Sequence, residues 1–217
     1  MNRSARASLV IVAGAGLSLT ASPALAHDDD GGLPEGSGPW TPIEEVDPAY
    51  YDPIDISACG TTVTSSTGDV AEVEVRETPQ PDGGMLRELR GEFTIDLVRH
   101  DTGEVIDELD ISGPVTELFS ADGTHIIAEL QGPSILFPFP ELGPVDAAAF
   151  EAAGIPDLAY FKKGTVTFDL VIDPETGQAV SETADVEARM HDLCTWFGND
   201  DRHPSHHGYD HHGEDHR

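Results

Sequence analysis

From Ile54 to Met190 the chain alternates apolar and polar residues over short stretches separated by turn residues, the two-residue period of half-buried β-strands. In Val70 to Arg76, Ala71, Val73 and Val75 fall on one face while Glu72, Glu74 and Arg76 fall on the other. After the turn Pro81-Asp82-Gly83-Gly84, Leu89, Gly91, Phe93, Ile95 and Leu97 alternate with Arg90, Glu92, Thr94 and Asp96. His100-Asp101-Thr102-Gly103 reverses the chain into Val105 to Ile111, and Ser112-Gly113-Pro114 breaks it before Val115 to Ser120. Asp122-Gly123 is a strong hairpin signal. Thr124 to Phe137 reads as a long strand with a bend at Gly132-Pro133. Gly164 to Ile172 and Val180 to Met190 flank the turn Asp173-Pro174-Glu175-Thr176-Gly177. Only Val145 to Ala153 reads as a helix, because its alanines favour one and Gly154 followed by Pro156 stops it.

About eight strands joined by short reversals predict an all-β fold, a single antiparallel meander that is barrel-like, with a two-sheet sandwich as the alternative and one short helix inserted near 145–153. Gly91 to Val98 and Gly164 to Val171 agree at most positions, and each leads to a Thr-Gly turn, so two hairpins share one plan.

The ends differ from this middle. Arg3 and Arg6, the apolar stretch Leu9 to Leu19 and the small-x-small run Ala24-Leu25-Ala26 read as a signal peptide at 1–26, cleaved after Ala26. Residues 27–53 form an acidic, Pro/Gly-rich leader expected to be loose, with Trp40, Tyr50 and Tyr51 able to pin its end to a β domain at 54–197. The tail 198–217 is rich in His and Asp and reads as disordered. No transmembrane segment is expected, and the predicted destination is secreted and extracellular.

Charge narrows the partners. The chain carries a formal charge of −30, and loss of Arg3 and Arg6 with the signal peptide takes it to −32. Such a surface repels nucleic acid and anionic lipid and suits metal cations and cationic partners. Cys59 and Cys194 are the only cysteines, and in an oxidising compartment a disulfide between them is expected, stapling the ends of the curled meander.

The marks Ser112-Gly113-Pro114, Asp122-Gly123-Thr124, Gly132 with Leu136-Phe137, Gly164, Asp173 with Thr176-Gly177, and Asp192-Leu193-Cys194 resemble those of a family of uncharacterised exported actinobacterial β-rich proteins. The likeness covers roughly Cys59 to Phe197 and implies export and a β domain, with no established activity or site.

The sharpest chemical signal lies outside that likeness. His203, His206, His207, His211, His212 and His216 are interleaved with Asp200, Asp201, Asp210, Glu214 and Asp215. Neutral imidazole ligates zinc, nickel and copper, and the adjacent pairs can wrap an ion in flexible chain, although the same composition also suits a merely solvated tail. Within the domain, His125, Glu129 and Gln131 share a strand face opposite Ile126, Ala128 and Leu130, where they face solvent or, in a barrel with a polar lumen, line a ligand cavity. The sequence contains no Gly-x-Ser-x-Gly elbow, no His-Glu-x-x-His and no phosphate-cradling glycine loop, and Asp28-Asp29-Asp30-Gly31 matches a calcium loop only in acidity. The expected protein is therefore not an enzyme. It binds, with no cofactor required, and the leading ligand is a divalent transition metal (Zn, Ni or Cu) held by the tail. A small apolar ligand in a barrel, or an envelope-associated interaction module with no small ligand, is the alternative.

Overall fold

The computed structural model describes residues 37–198. The signal peptide, the leader up to 36 and the tail from 199 lie outside the described residues. Before Ile54 the chain is already packed: β1 (Thr41–Pro42) pairs with a later strand, and α1 (Ile43–Val46) follows it directly. Ile43 and Tyr50 are buried in the core, and Tyr50 and Tyr51 pack against Phe93. The apolar cost of leaving these side chains in water moves the N-terminal edge of the packed unit ahead of Ile54.

The scaffold is the hairpin that follows β2 (Ile54–Ala58): β3 (Thr61–Pro79) and β4 (Met85–Arg99), paired from Val63 against Arg99 to Pro79 against Met85. Their turn closes through Gln80 N–H to the Gly84 carbonyl, and the Asp82 carboxylate accepts from Gly84 N–H. The ladder is interrupted once, where Gly68, Asp69 and Val70 bulge between Thr67 and Ala71. Gly91 sits close to that break at φ +134, and a Cβ there would lie 1.9 Å from the Glu72 carbonyl oxygen. Only glycine lets the two backbones approach so closely at that φ.

The break divides the hairpin between two arrays. One end pairs with β2 and with β5 (Val105–Asp110). The other pairs with β1 and with β6 (Val115–Phe119), and continues through β7 (His125–Gln131) towards the C-terminal strands. After β7 the chain leaves through Gly132-Pro133 into β8 (Ser134–Leu136), crosses α2 (Pro144–Ala153) and forms β9 (Ala159–Phe161). It then returns to the large sheet as β10 (Gly164–Ile172) and β11 (Ala179–Ala188), and ends in β12 (His191–Asp192) and a 3-10 turn, Leu193–Thr195. The large sheet is nine-stranded and runs β1-β3-β4-β6-β7-β10-β11, with β2 and β5 attached to the hairpin; β12-β9-β8 form a second, three-stranded sheet. All pairings are antiparallel. This is an all-β architecture with the expected helix at the expected place. The path through the described residues begins at β1 and ends at β11 without returning on itself.

The expected strand from Thr124 to Phe137 is two strands in different sheets, because the bend at Gly132-Pro133 hands the chain from one to the other. The likeness of Gly91–Val98 to Gly164–Val171 is structural at its first residue. Gly164 also has positive φ, +103, and its Cβ would meet the Glu187 carbonyl oxygen at 2.3 Å.

Alternation fills one connected core: Val63, Leu97, Ile106, Leu109, Ile126, Leu130, Val166 and Leu170 from the large sheet, Ile135, Leu136 and Phe161 from the small one, and Phe150 from α2. The short strands β8 and β9 are buried at every residue, so they sit inside the molecule and not at its surface.

Cys59 and Cys194 are bonded, with Cα atoms 5.3 Å apart across a chain separation of 135 residues. The bond joins the β2–β3 turn to the 3-10 turn after β12, not two paired terminal strands. Arg99 donates to the Cys59 carbonyl, and Asp157 accepts from Cys59 N–H, so the end of β4 and the loop after α2 both hold the staple. Because so long a loop is closed, Cys59→Ser should lower unfolding stability by about 2 to 4 kcal/mol. Urea denaturation of oxidised wild type against the variant measures it, and equal midpoints would show that packing alone sets the stability.

Candidate functional site

Extending the strand period places polar side chains on the apolar face. Counting back from Leu97 through Leu89 by twos reaches Arg87, and counting on from Val115 reaches Glu117. The register sets Glu77, Arg87, Glu117, Ala128, Phe168 and Ala184 side by side across the sheet. Arg87 and Glu117 are each 1% exposed, and Arg87 Nη1 stands 3.5 Å from Glu117 Oε2. Arg87 Nε and Nη2 have no protein partner, nor has Asp47 Oδ2 close to the same region. Burial pushes the Glu117 carboxyl up to about 7 against the pull of Arg87, and Glu77 adds to the rise. Burial likewise raises the Tyr50 hydroxyl, which lies in the field of Arg87, Glu117 and Asp47.

A second polar pair lies where α2 crosses the sheet. Asp146, 1% exposed, stands in the first turn of α2, and Glu182 comes from β11, opposite Leu170. The two carboxyls are hydrogen-bonded to each other, and Phe139 N–H donates to Asp146 Oδ2. Glu182 Oε2 has no partner. Burial first, then the Asp146 charge, pushes the Glu182 carboxyl above the ordinary carboxylate range, so the pair retains a proton. The backbone N–H and the helix N-terminus both favour the charge on Asp146, which places the proton on Glu182. Leu136, Phe137, Phe139, Phe150 and Phe168 line the hollow above the pair. A neighbouring hollow, lined by Tyr50, Tyr51, Phe93, Ile95 and Ile135 among others, shares Phe137 as a wall. Their free space is about 10 and 20 Å³, room for about one water each.

The other candidates within the described residues lie at the surface, half-buried or exposed. His125 Nε2 lies 2.8 Å from Asp169 Oδ1 on the outer face, and Gln131 donates to Glu129, while Ile126, Ala128 and Leu130 are buried as the alternation predicts. The polar trio therefore faces away from the core. Asp96, Asp107 and Glu108 bring carboxylate oxygens within 4.8 Å of one another. Glu108, however, accepts from the Thr94 hydroxyl and Asp69 N–H, and Asp96 accepts from Glu108 N–H, so these carboxylates brace the β3 bulge. His203, His206, His207, His211, His212 and His216 lie outside the described residues. Among the described residues, no helix is long and apolar enough to cross a membrane.

Comparison with protein-family models, with curated proteins and with solved structures gives no match.

The buried ion pair makes a sharp energetic prediction. Arg87→Met alone strands the Glu117 carboxyl and should cost about 3 to 5 kcal/mol, whereas Arg87→Met combined with Glu117→Leu should regain most of that loss. Denaturant titration of the two variants decides it. A single variant as stable as the double would show that Glu117 does not depend on Arg87.

Proposed function

We propose that this is an exported, non-catalytic binding protein whose disulfide-closed β domain carries a C-terminal segment that binds divalent transition metals. The observation that carries the reading is the six histidines from His203 to His216 set among five carboxylates, a donor set suited to zinc, nickel or copper. The likeness to exported actinobacterial β-rich proteins supports export, and so does the Cys59–Cys194 bond, since such bonds persist in oxidising compartments.

The domain supports the division of labour. Apart from its buried ionisable pairs, its interior is packed by apolar side chains, and the hollows beside Phe137 are of water size, which favours the tail over a small apolar ligand held inside a barrel. The last described residue, Gly198, lies against Glu104 in the β4–β5 turn and follows closely on the anchored Cys194. The histidine-bearing segment thus follows directly on a point held by the disulfide beside Glu104.

Deleting everything after Asn199 should abolish zinc, nickel and copper binding in a calorimetric titration while leaving the melting temperature unchanged. Retained affinity in the truncated protein would refute the assignment. Imidazole must also be neutral to ligate, so zinc affinity should fall between pH 7.5 and pH 5 as the histidines take protons near about pH 6.5. Equal affinity at both values would exclude histidine as the ligand.

A further inference from the structure

The carboxyl pair under α2 joins two separate elements across a lined hollow, and the metal-binding reading does not use it. Asp146 belongs to α2 and Glu182 to β11. Asp146 also accepts from Phe139 N–H, so one buried side chain ties together the helix, the sheet edge and the connection that runs from β8 to α2. That connection, from Phe137 to Gly143, carries Phe137 and Phe139, whose rings are 4.7 Å apart. It forms the cover of both hollows, since Phe137 walls each of them. Beneath it Phe150 of α2 stacks on Phe168 of β10 at 5.7 Å.

We propose that the Asp146–Glu182 pair is a proton-operated latch: with one shared proton it holds α2 and the Phe137–Gly143 strap on the sheet, and loss of that proton lets them lift and exposes the apolar floor. The geometry gives the mechanism. Glu182 donates its proton to Asp146, and no further atom is needed to close the contact. When that proton leaves for solvent, two carboxylates face each other beside phenylalanine rings. The groups acting on the pair are each carboxyl on the other and the Phe139 N–H. From β10 the hollow receives Phe168, and Leu170 lies opposite Glu182. The charged residues of the strap turn and of the rest of α2, Glu141 and Glu151, are acidic and exposed. No cation stands among these groups to neutralise the second charge, so repulsion acts on the join between helix and strand.

The sign follows from where the proton sits. Burial and the partner's charge hold the Glu182 proton above the ordinary carboxylate range, so the latch is closed at and below neutrality and weakens as pH rises. Opening coupled to release of one proton should increase about tenfold per pH unit once the closed pair begins to lose it.

Hydrogen exchange on the full chain between pH 6 and pH 9, corrected for intrinsic exchange chemistry, tests this. Protection of the Phe139 amide should fall about tenfold per pH unit towards the alkaline end, while core amides such as Leu130 keep theirs. Fluorescence of an added anilinonaphthalene sulfonate dye should rise over the same range. Glu182→Gln, whose amide can still donate to Asp146 but does not titrate, should abolish both changes. Protection at Phe139 that is independent of pH in the wild type, or that falls equally in Glu182→Gln, would overturn the latch. Should that variant not fold, the infrared carbonyl stretch of the wild type decides: a protonated carboxyl must be present at neutral pH and disappear as protection is lost, and its absence at neutrality refutes the proposal.

Discussion

The β3–β4 ladder is the constraint on which the rest of this molecule depends. A long antiparallel pair cannot stay flat, because strand twist accumulates, so it must bend or be shared between sheets. Here both occur at one place. The bulge at 68–70 and Gly91 let the hairpin turn, so that its two ends recruit different neighbours, β2 and β5 at one and β1 and β6 at the other. Glu108, Asp96 and Thr94 hold the bulge by hydrogen bonds, which makes polar side chains part of the hinge. The disulfide then fixes the end that the ladder leaves least paired, the β2–β3 turn, to the last turn of the chain.

Given that frame, the ionisable groups on the core face are costly exceptions. Burying Arg87 with a single long contact to Glu117 forgoes most of its hydrogen-bonding capacity, and packed apolar side chains of similar volume would serve stability as well or better. The Asp146–Glu182 pair differs in kind. It lowers its own cost by keeping one proton, so that a charged acceptor and a neutral donor replace two facing charges. The first pair sits between neighbouring strands of one sheet, and the second spans a helix and a strand. Only the second can therefore change the tertiary arrangement when its protonation changes.

The periodicity made the strands and the helix legible because each was long enough to show its period; α2 begins one residue before the expected Val145 and ends at Ala153 as read. The pairing order was not legible. Strands β8, β9 and β12 have two or three residues, too few to show any alternation, and the first two are buried throughout, which removes the polar half of the signal. The Asp, Gly and Pro content ahead of Ile54 predicts a loose leader, but Ile43 and Tyr50 outweigh that composition once β3 offers a surface to pack on. Arg87 and Glu117 were in principle visible, since the period of Leu89 to Leu97 and of Val115 points both inward. A buried charge runs against the apolar alternation, so the period legible in the sequence begins only at Leu89. Asp146 and Glu182 belong to elements far apart in sequence, and only the tertiary fold brings them together.

The register sets the carboxyl pair at the opposite end of the β3–β4 ladder from the disulfide. Glu182 lies opposite Leu170, which lies opposite Ile126, then Phe119, then Met85, so the pair belongs to the row at the first residue of β4. The departure point of the tail belongs to the other end of that strand, where Arg99 donates to the carbonyl of Cys59 and Gly198 meets Glu104. The route between them is not the length of β4, because the ladder bends at the bulge and Asp157, which follows α2, accepts from Cys59 N–H. The disulfide therefore holds the far end of the loop that follows α2, so the helix is tethered there through Asp157 and seated at its first turn by Asp146, and a change in the pair's protonation acts on the first turn while the other end stays fixed.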